Sequence, residues 1–287
     1  MRRIPVVATI RDAYIFAATH LGGVIGLIWV PMVLVTVMGF FSLQHYYNDF
    51  IDAMAGGNVA ALGPSMLMML GYLVAALLLQ AVIYVAVIQF ALGSRTAPAL
   101  AHFAFGALEW RMFRAFLAFI GVILILVLPA FIAANAAMVV AGSRLPGGVG
   151  PVLLMLILYG VILLAMPRFL ALLPAIAVAE SAPVLRRAWA LSSGNFWRLL
   201  AVLVGVFGPI FVLFVGVEMA LAGHGAALPA GTEQVQLIAS LVRAREILPL
   251  VSGLGFLLSP LVVALFAGAS VSAWRALKDE PVAEIVA

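Results

Sequence analysis

Chemistry in this sequence would have to come from a small stock of side chains: 4 histidines, 11 carboxylates and 15 lysines and arginines, with no cysteine. Without cysteine there is no thiolate nucleophile, no thiolate metal site and no disulfide. His20, His45, His102 and His224 stand far apart, and none belongs to a His-Glu-x-x-His or similar ligand spacing. Ser143 and Ser252 lie beside glycines but complete no Gly-x-Ser-x-Gly elbow. The glycine-rich 146–150 stretch suits a turn rather than a phosphate loop. What remains is a set of arginines with tryptophans beside them, a combination suited to holding anions such as phosphate. Recognition is therefore expected, with no catalytic residue, no metal and no cofactor.

The densest such stretch runs from Ser181 to Leu200. At a helical ~100° per residue, Val184, Leu185, Ala188, Trp189 and Leu191 share one side, while Arg186, Arg187, Ala190 and Ser193 fill the other. That pattern predicts an interfacial helix near 182–193, with Ser181 as N-cap and Pro183 in the first turn. Gly194 can end it in a left-handed conformation, Asn195 can cap the next helix, and Trp197 and Arg198 then enter a span at the interface. A shorter echo lies upstream, with Thr96, Pro98, Gly106 and Trp110-Arg111, and predicts a second interfacial helix near 97–108. The two prolines, Pro98 and Pro183, are 85 residues apart, a repeat-scale period. A fainter third copy near 5–19 sets Arg11-Asp12-Ala13-Tyr14 against Arg186-Arg187-Ala188-Trp189, with His20 where Asn195 falls.

Such helices need a membrane to lie on. Apolar residues make up 66% of the chain and charged residues 9%, and the mean hydropathy is +1.25. Soluble domains run near a quarter charged, so a water-soluble fold is excluded. Uncharged stretches place spans near 21–43, 66–91, 113–139, 151–174, 197–219 and 248–274. Each supplies the ~20 residues that cross ~30 Å of hydrocarbon. The runs are continuous rather than alternating, so the spans are helical. The expectation is an all-α integral membrane protein: one polytopic domain over 1–287, with six transmembrane helices in three pairs and short amphipathic helices on the cytoplasmic side.

Orientation follows from the basic residues. Arg2, Arg3, Arg11, Arg95, Arg111, Arg114, Arg168, Arg186, Arg187, Arg198, Arg275 and Lys278 fall on one side, and Arg144, Arg243 and Arg245 on the other. Twelve against three predicts cytoplasmic N- and C-termini. The formal +4 charge is then an asymmetry between faces, and no nucleic-acid partner is expected. The first apolar run is too long for a signal-peptide core and is expected to stay as an anchor. Segments 43–65 and 223–246 are expected as external loops, the second with room for a short helix.

Within the spans, Arg168 after Pro167 either snorkels to the headgroups or meets an anion there. Glu218 is expected as a wetted carboxylate at the outer interface. Gln80, Gln89 and Asn135 are expected to hydrogen-bond between helices. Pro31, Pro129, Pro167, Pro174, Pro209 and Pro260 offer kinks.

From Arg168 to Leu200, Arg-Phe-x-Leu-x-x-Pro-Ala-Ile-Ala-Val-Ala-Glu-Ser leads to Leu-Arg-Arg-Ala-Trp-x-Leu-x-x-Gly-Asn-Phe-Trp-Arg-Leu-Leu. This resembles the glycerophosphoryl diester phosphodiesterase membrane-domain-like family of bacterial six-span inner-membrane proteins. Tyr14–Pro31 and Leu92–Arg114 resemble it more loosely. The resemblance implies the membrane architecture and a bacterial inner-membrane location. It implies a phosphodiesterase only where a soluble catalytic barrel is attached, and these 287 residues contain no polar stretch that would build one. Arg168, Pro174, Glu180, Arg186, Arg187, Gly194, Trp197 and Arg198 match the motif as positions, not as catalytic groups.

The leading expectation is a non-enzymatic membrane scaffold that binds lipid headgroups or a partner. Arg168, Glu180, Arg186, Arg187, Trp197, Arg198 and Arg111 are the candidate contacts, with Pro174, Gly194 and Asn195 shaping the motif. The expected partners are membrane lipids, anionic ones among them, and a membrane or cytoplasmic protein. The alternative is a small-molecule or lipid transporter, which would need a polar path past Gln80 or Asn135. An enzyme would need Arg168, Glu180 and His102 in one pocket.

Overall fold

A computed structural model describes residues 3–56, 62–95, 105–141, 171–180, 183–223 and 233–278, together with 156, 159–160, 163 and 165–169. Among the described residues the bounded helices are α1 (Val6–Gly56), α2 (Leu62–Ala91), α3 (Ala107–Ala141), α4 (Leu173–Ala179), α5 (Val184–Ser192), α6 (Phe196–Gly223) and α7 (Glu233–Lys278), and residues 165–169 are helical as well. No strand occurs among the described residues. Five of them, α1, α2, α3, α6 and α7, are long and apolar enough to cross a membrane. Their outward faces are apolar too: Leu67, Ile125, Val212 and Leu257 are largely exposed on four different helices. Such a surface is at ease in lipid and a liability in water.

The helices are longer than the spans read from sequence. α1 runs unbroken through 5–19, where a separate interfacial helix is expected, and on past residue 43. Nothing in that stretch breaks a helix, and the Thr19 hydroxyl bonds back to the Ile15 carbonyl at 2.7 Å. Beyond residue 43 no glycine or proline interrupts the chain until Gly56, and the expected loop is helical over 43–56. Likewise 233–246 is part of α7 rather than a loop. The 51 residues of α1 span ~76 Å at 1.5 Å each, well beyond a ~30 Å hydrocarbon core. The far ends of α1 and α7 are tied by Arg245 Nη1 donating to Asn48 Oδ1 at 3.0 Å and Gln234 Nε2 to the Met54 carbonyl at 2.8 Å.

Toward the other end, α1 and α7 pack antiparallel through small residues. A Cβ at Gly268 would lie 3.0 Å from Ala13 Cα and 3.2 Å from Phe16 Cβ. Only hydrogen fits there, and the two backbones approach closely, as helix pairs in lipid do. Ala13, Ala17, Val24, Ala264 and Ala267 are buried along this seam. Helix assignments continue across Pro31, Pro129, Pro209 and Pro260.

Part of the 151–174 span and most of the 97–108 helix lie outside the described residues, as do Thr96, Pro98 and Ser181. Phe105 and Gly106 are non-helical, and 107–108 already belong to α3. Pro174 does not kink a span: a turn at 171–172 ends what precedes it, and Pro174 stands in the first turn of α4. There its missing N–H costs nothing. α4 is almost wholly buried and touches α2, α3, α5 and α7. This short apolar helix is the internal strut on which the arginine-bearing segments are mounted.

Candidate functional site

The chain from α4 to α6 carries the motif, and its turn geometry is set locally. α5 occupies 184–192, close to the expected interfacial helix, and buries Val184, Ala188 and Ser192 on one stripe. Pro183 precedes it without a side-chain cap. A type II turn follows: Ser193 at φ −60° and ψ 125°, Gly194 at φ +77°, and the Asn195 N–H bonded to the Ser192 carbonyl at 3.0 Å. The left-handed φ requires glycine or pays strain, which explains Gly194.

Asn195 stands just before α6, and its carbonyl accepts the Leu199 N–H at 2.9 Å, as that of an N-cap residue does. Buried, it accepts the Ile4 N–H on Oδ1 at 3.2 Å. Arg198 Nη1 donates to the Ile4 carbonyl at 3.2 Å. Asn195 and Arg198 thus hold both backbone groups of one residue and fix the chain just before α1 to the start of α6. Trp197 between them is exposed, as are Trp110 and Trp189 at the same end. The upstream Trp-Arg pair repeats the division of labour, since Arg111 Nη2 donates to the Val178 carbonyl at 3.2 Å.

Glu180 is the centre of a closed polar node. Its Oε2 accepts Arg187 Nε at 2.9 Å and its Oε1 accepts Trp274 Nε1 at 2.9 Å. Nearby at this end of α7, Arg275 Nη2 reaches the Leu92 carbonyl at 3.4 Å. With the Glu180 side chain 12% exposed and Arg187 38%, the ion pair is screened, and its worth is about 1 kcal/mol. The node closes α4, α5 and α7 onto one another.

Arg168 is covered differently. Its guanidinium carbon sits 4.2 Å from the centroid of the Trp189 ring and 5.6 Å from that of Phe196. Cation–π contact of this kind explains how a charge is kept beside a span.

The remaining arginines converge. A groove of about 590 Å³ between α3 and α5 is lined by Arg111, Arg114, Ala115, Ala118, Pro183, Val184, Leu185 and Arg186. None of these lining residues is acidic. Arg114 and Arg186 are exposed and have no ion pair or hydrogen bond among the described residues. Arg111 keeps its Nε buried with no partner. A smaller hollow of about 230 Å³ adjoins it, bordered by Pro183, Arg186, Arg187 and Ala190. A second, apolar hollow of about 380 Å³ is lined by Val122, Leu126, Ala165, Arg168, Phe169 and Trp189. Three guanidiniums around an acid-free opening can bind a phosphate or carboxylate by forked hydrogen bonds.

The structure thus brings Arg111 and Arg186 together and sends Arg187 and Glu180 to a separate node. Arg198 goes to the α1 start and Arg168 to Trp189. Two residues that the sequence reading left aside prove central, Arg114 and Trp274. Arg114 follows Arg111 by one helical turn, so the period of α3 carried that signal. Nothing in the sequence pairs Trp274 with Glu180.

The other polar groupings among the described residues lie apart from this groove. His102 and His224 lie outside the described residues, as do the Asn135 and Glu218 side chains. His20 stacks on Phe16 at 4.9 Å and meets Phe90 edge-on. Gln89 accepts from Arg95 Nη1 at 3.3 Å, closing the end of α2 rather than bridging helices. At the far end, Ser65 Oγ donates to Asp49 Oδ2, and His45 Nε2 lies 3.4 Å from the same oxygen. The serine is bonded to the carboxylate and not to the imidazole, so the trio lacks the base that activates a nucleophile. Among the described residues no three His, Cys, Asp or Glu side chains gather as a metal site.

The class this defines is an all-helical protein with several helices long and apolar enough to be embedded in a membrane. Comparison with family models, with curated proteins and with solved structures gives no match.

Proposed function

We propose that this chain is a non-enzymatic membrane protein whose arginine-rich end binds anionic lipid headgroups. One observation carries the reading: Arg111, Arg114 and Arg186 face one groove with no acidic lining residue, while the neighbouring cations are engaged elsewhere. Each basic residue near an anionic leaflet contributes ~1 kcal/mol. The exposed Trp110, Trp189 and Trp197 at the same end suit the headgroup level. In this reading the arginine end faces the cytoplasm of a bacterial inner membrane, and the chain makes six spans in three pairs, as the family resemblance implies.

A partner protein at this end is less favoured, because an apolar hollow suited to lipid follows the groove along α3. Native mass spectra test the reading. Protein released from mixed phosphatidylglycerol and phosphatidylcholine should retain phosphatidylglycerol, and Arg114→Ala/Arg186→Ala should lose that selectivity. Retention of both lipids in proportion to supply, before and after substitution, would sink it.

A further inference from the structure

The arginine groove and the apolar hollow are separate cavities that follow one another along α3. Ala118 in the first and Val122 in the second are one turn apart on α3. Leu185 and Trp189 are likewise one turn apart on α5, which crosses both. The residues Arg111, Arg114, Ala118, Val122 and Leu126 therefore form a single stripe, charged at one end and apolar along the rest. From Arg114 to Leu126 the stripe measures ~18 Å, close to half of a ~30 Å hydrocarbon core. Its depth is that of one leaflet.

We propose that groove and hollow together seat one whole anionic glycerophospholipid, with its phosphate among Arg111, Arg114 and Arg186 and one acyl chain laid along α3 as far as Leu126. This rests on the headgroup reading and goes further, from a charged surface to a single binding site with a defined lipid pose. Charge complementarity selects the occupant: three cations at the mouth require an anion, and walls of Ala118, Val122, Phe169 and Leu126 require a hydrocarbon attached to it. A free phosphate would leave the apolar part empty, and a neutral lipid would leave the arginines unmatched. Arg168 borders the inner part, but its guanidinium lies over the Trp189 ring, so the phosphate belongs at the mouth.

The absence of cysteine makes a direct test possible, since one introduced thiol is labelled uniquely. A fluorophore on Leu126→Cys reports from the wall of the apolar hollow, where the side chain is 46% exposed, and one on Val212→Cys, 70% exposed on α6, reports from a remote lipid-facing site. Each protein goes into phosphatidylcholine nanodiscs doped with phosphatidylglycerol or phosphatidylcholine bearing a mid-chain nitroxide. The fluorophore at 126 should be quenched more strongly by the phosphatidylglycerol probe, and the one at 212 equally by both. Arg114→Ala/Arg186→Ala should weaken the preference at 126 about fivefold per arginine, roughly 30-fold for the pair. Ala118→Phe, which adds bulk to the groove wall without touching charge, should abolish the preference at 126 while native mass spectra still show retained phosphatidylglycerol. Equal quenching at 126 by both probes, or the same preference at 126 and 212, overturns the seat. If mass spectra then still show arginine-dependent phosphatidylglycerol retention, the headgroup reading stands without the seat; if they do not, both fall.

Discussion

Arg186 and Arg187 are adjacent in the chain and do opposite things. Arg187 turns to a node with Glu180 and Trp274, where both carboxylate oxygens accept a hydrogen bond. Arg186 turns out to an open groove with Arg111 and Arg114, where the positive charge has none among the described lining residues. On a helix, neighbours point about 100° apart, which is enough to send one of a basic pair to a carboxylate and the other to an open groove. The node holds α4, α5 and α7 together; the groove is what they hold in place.

Breaking the node should have the largest effect. Glu180→Ala strands the Trp274 N–H and frees Arg187, and should cost about 2 kcal/mol, read as a lower thermal midpoint in detergent. Asn195→Ala should follow at about 1–2 kcal/mol, because the Ile4 N–H loses its buried acceptor. Its specific signature is faster hydrogen exchange over residues 4–9. On the groove side, Arg114→Ala should leave stability within about 0.5 kcal/mol while weakening phosphatidylglycerol selectivity about fivefold. Smallest should be Arg186→Lys, which keeps the charge and loses only the forked geometry, a change of under about 1 kcal/mol in lipid binding. Titrating phosphatidylglycerol into phosphatidylcholine nanodiscs measures both.

Much of the scaffold was legible because lipid imposes a coarse code. Five apolar helices, a helix at 184–192 and a left-handed Gly194 all follow from composition, amphipathic period and turn chemistry. The ends of α1 and α7 were not, since a partly polar run without glycine or proline, such as 44–55, suits a loop and a continued helix equally. α4 escaped for another reason: Pro174 inside an apolar run signals either a kink or a new first turn, and the turn at 171–172 decides. At the site, sequence gathered the arginines at one end but not into their groups. Which cation meets a carbonyl, a ring, a carboxylate or an open groove depends on how α3, α4 and α5 cross, and no local pattern encodes that. Asn195 shows the same limit: its position before α6 was legible, but its bond with residue 4 was not.

The division between the two neighbouring arginines can be measured side by side. Arg186→Ala and Arg187→Ala would each be assayed for phosphatidylglycerol selectivity by native mass spectrometry and for thermal midpoint in the same detergent. Arg186→Ala should lose about fivefold in selectivity with its midpoint unchanged, and Arg187→Ala should lower the midpoint with a smaller change in selectivity. Identical behaviour of the two variants in both assays, or the reverse pattern, would contradict the separation of node from groove.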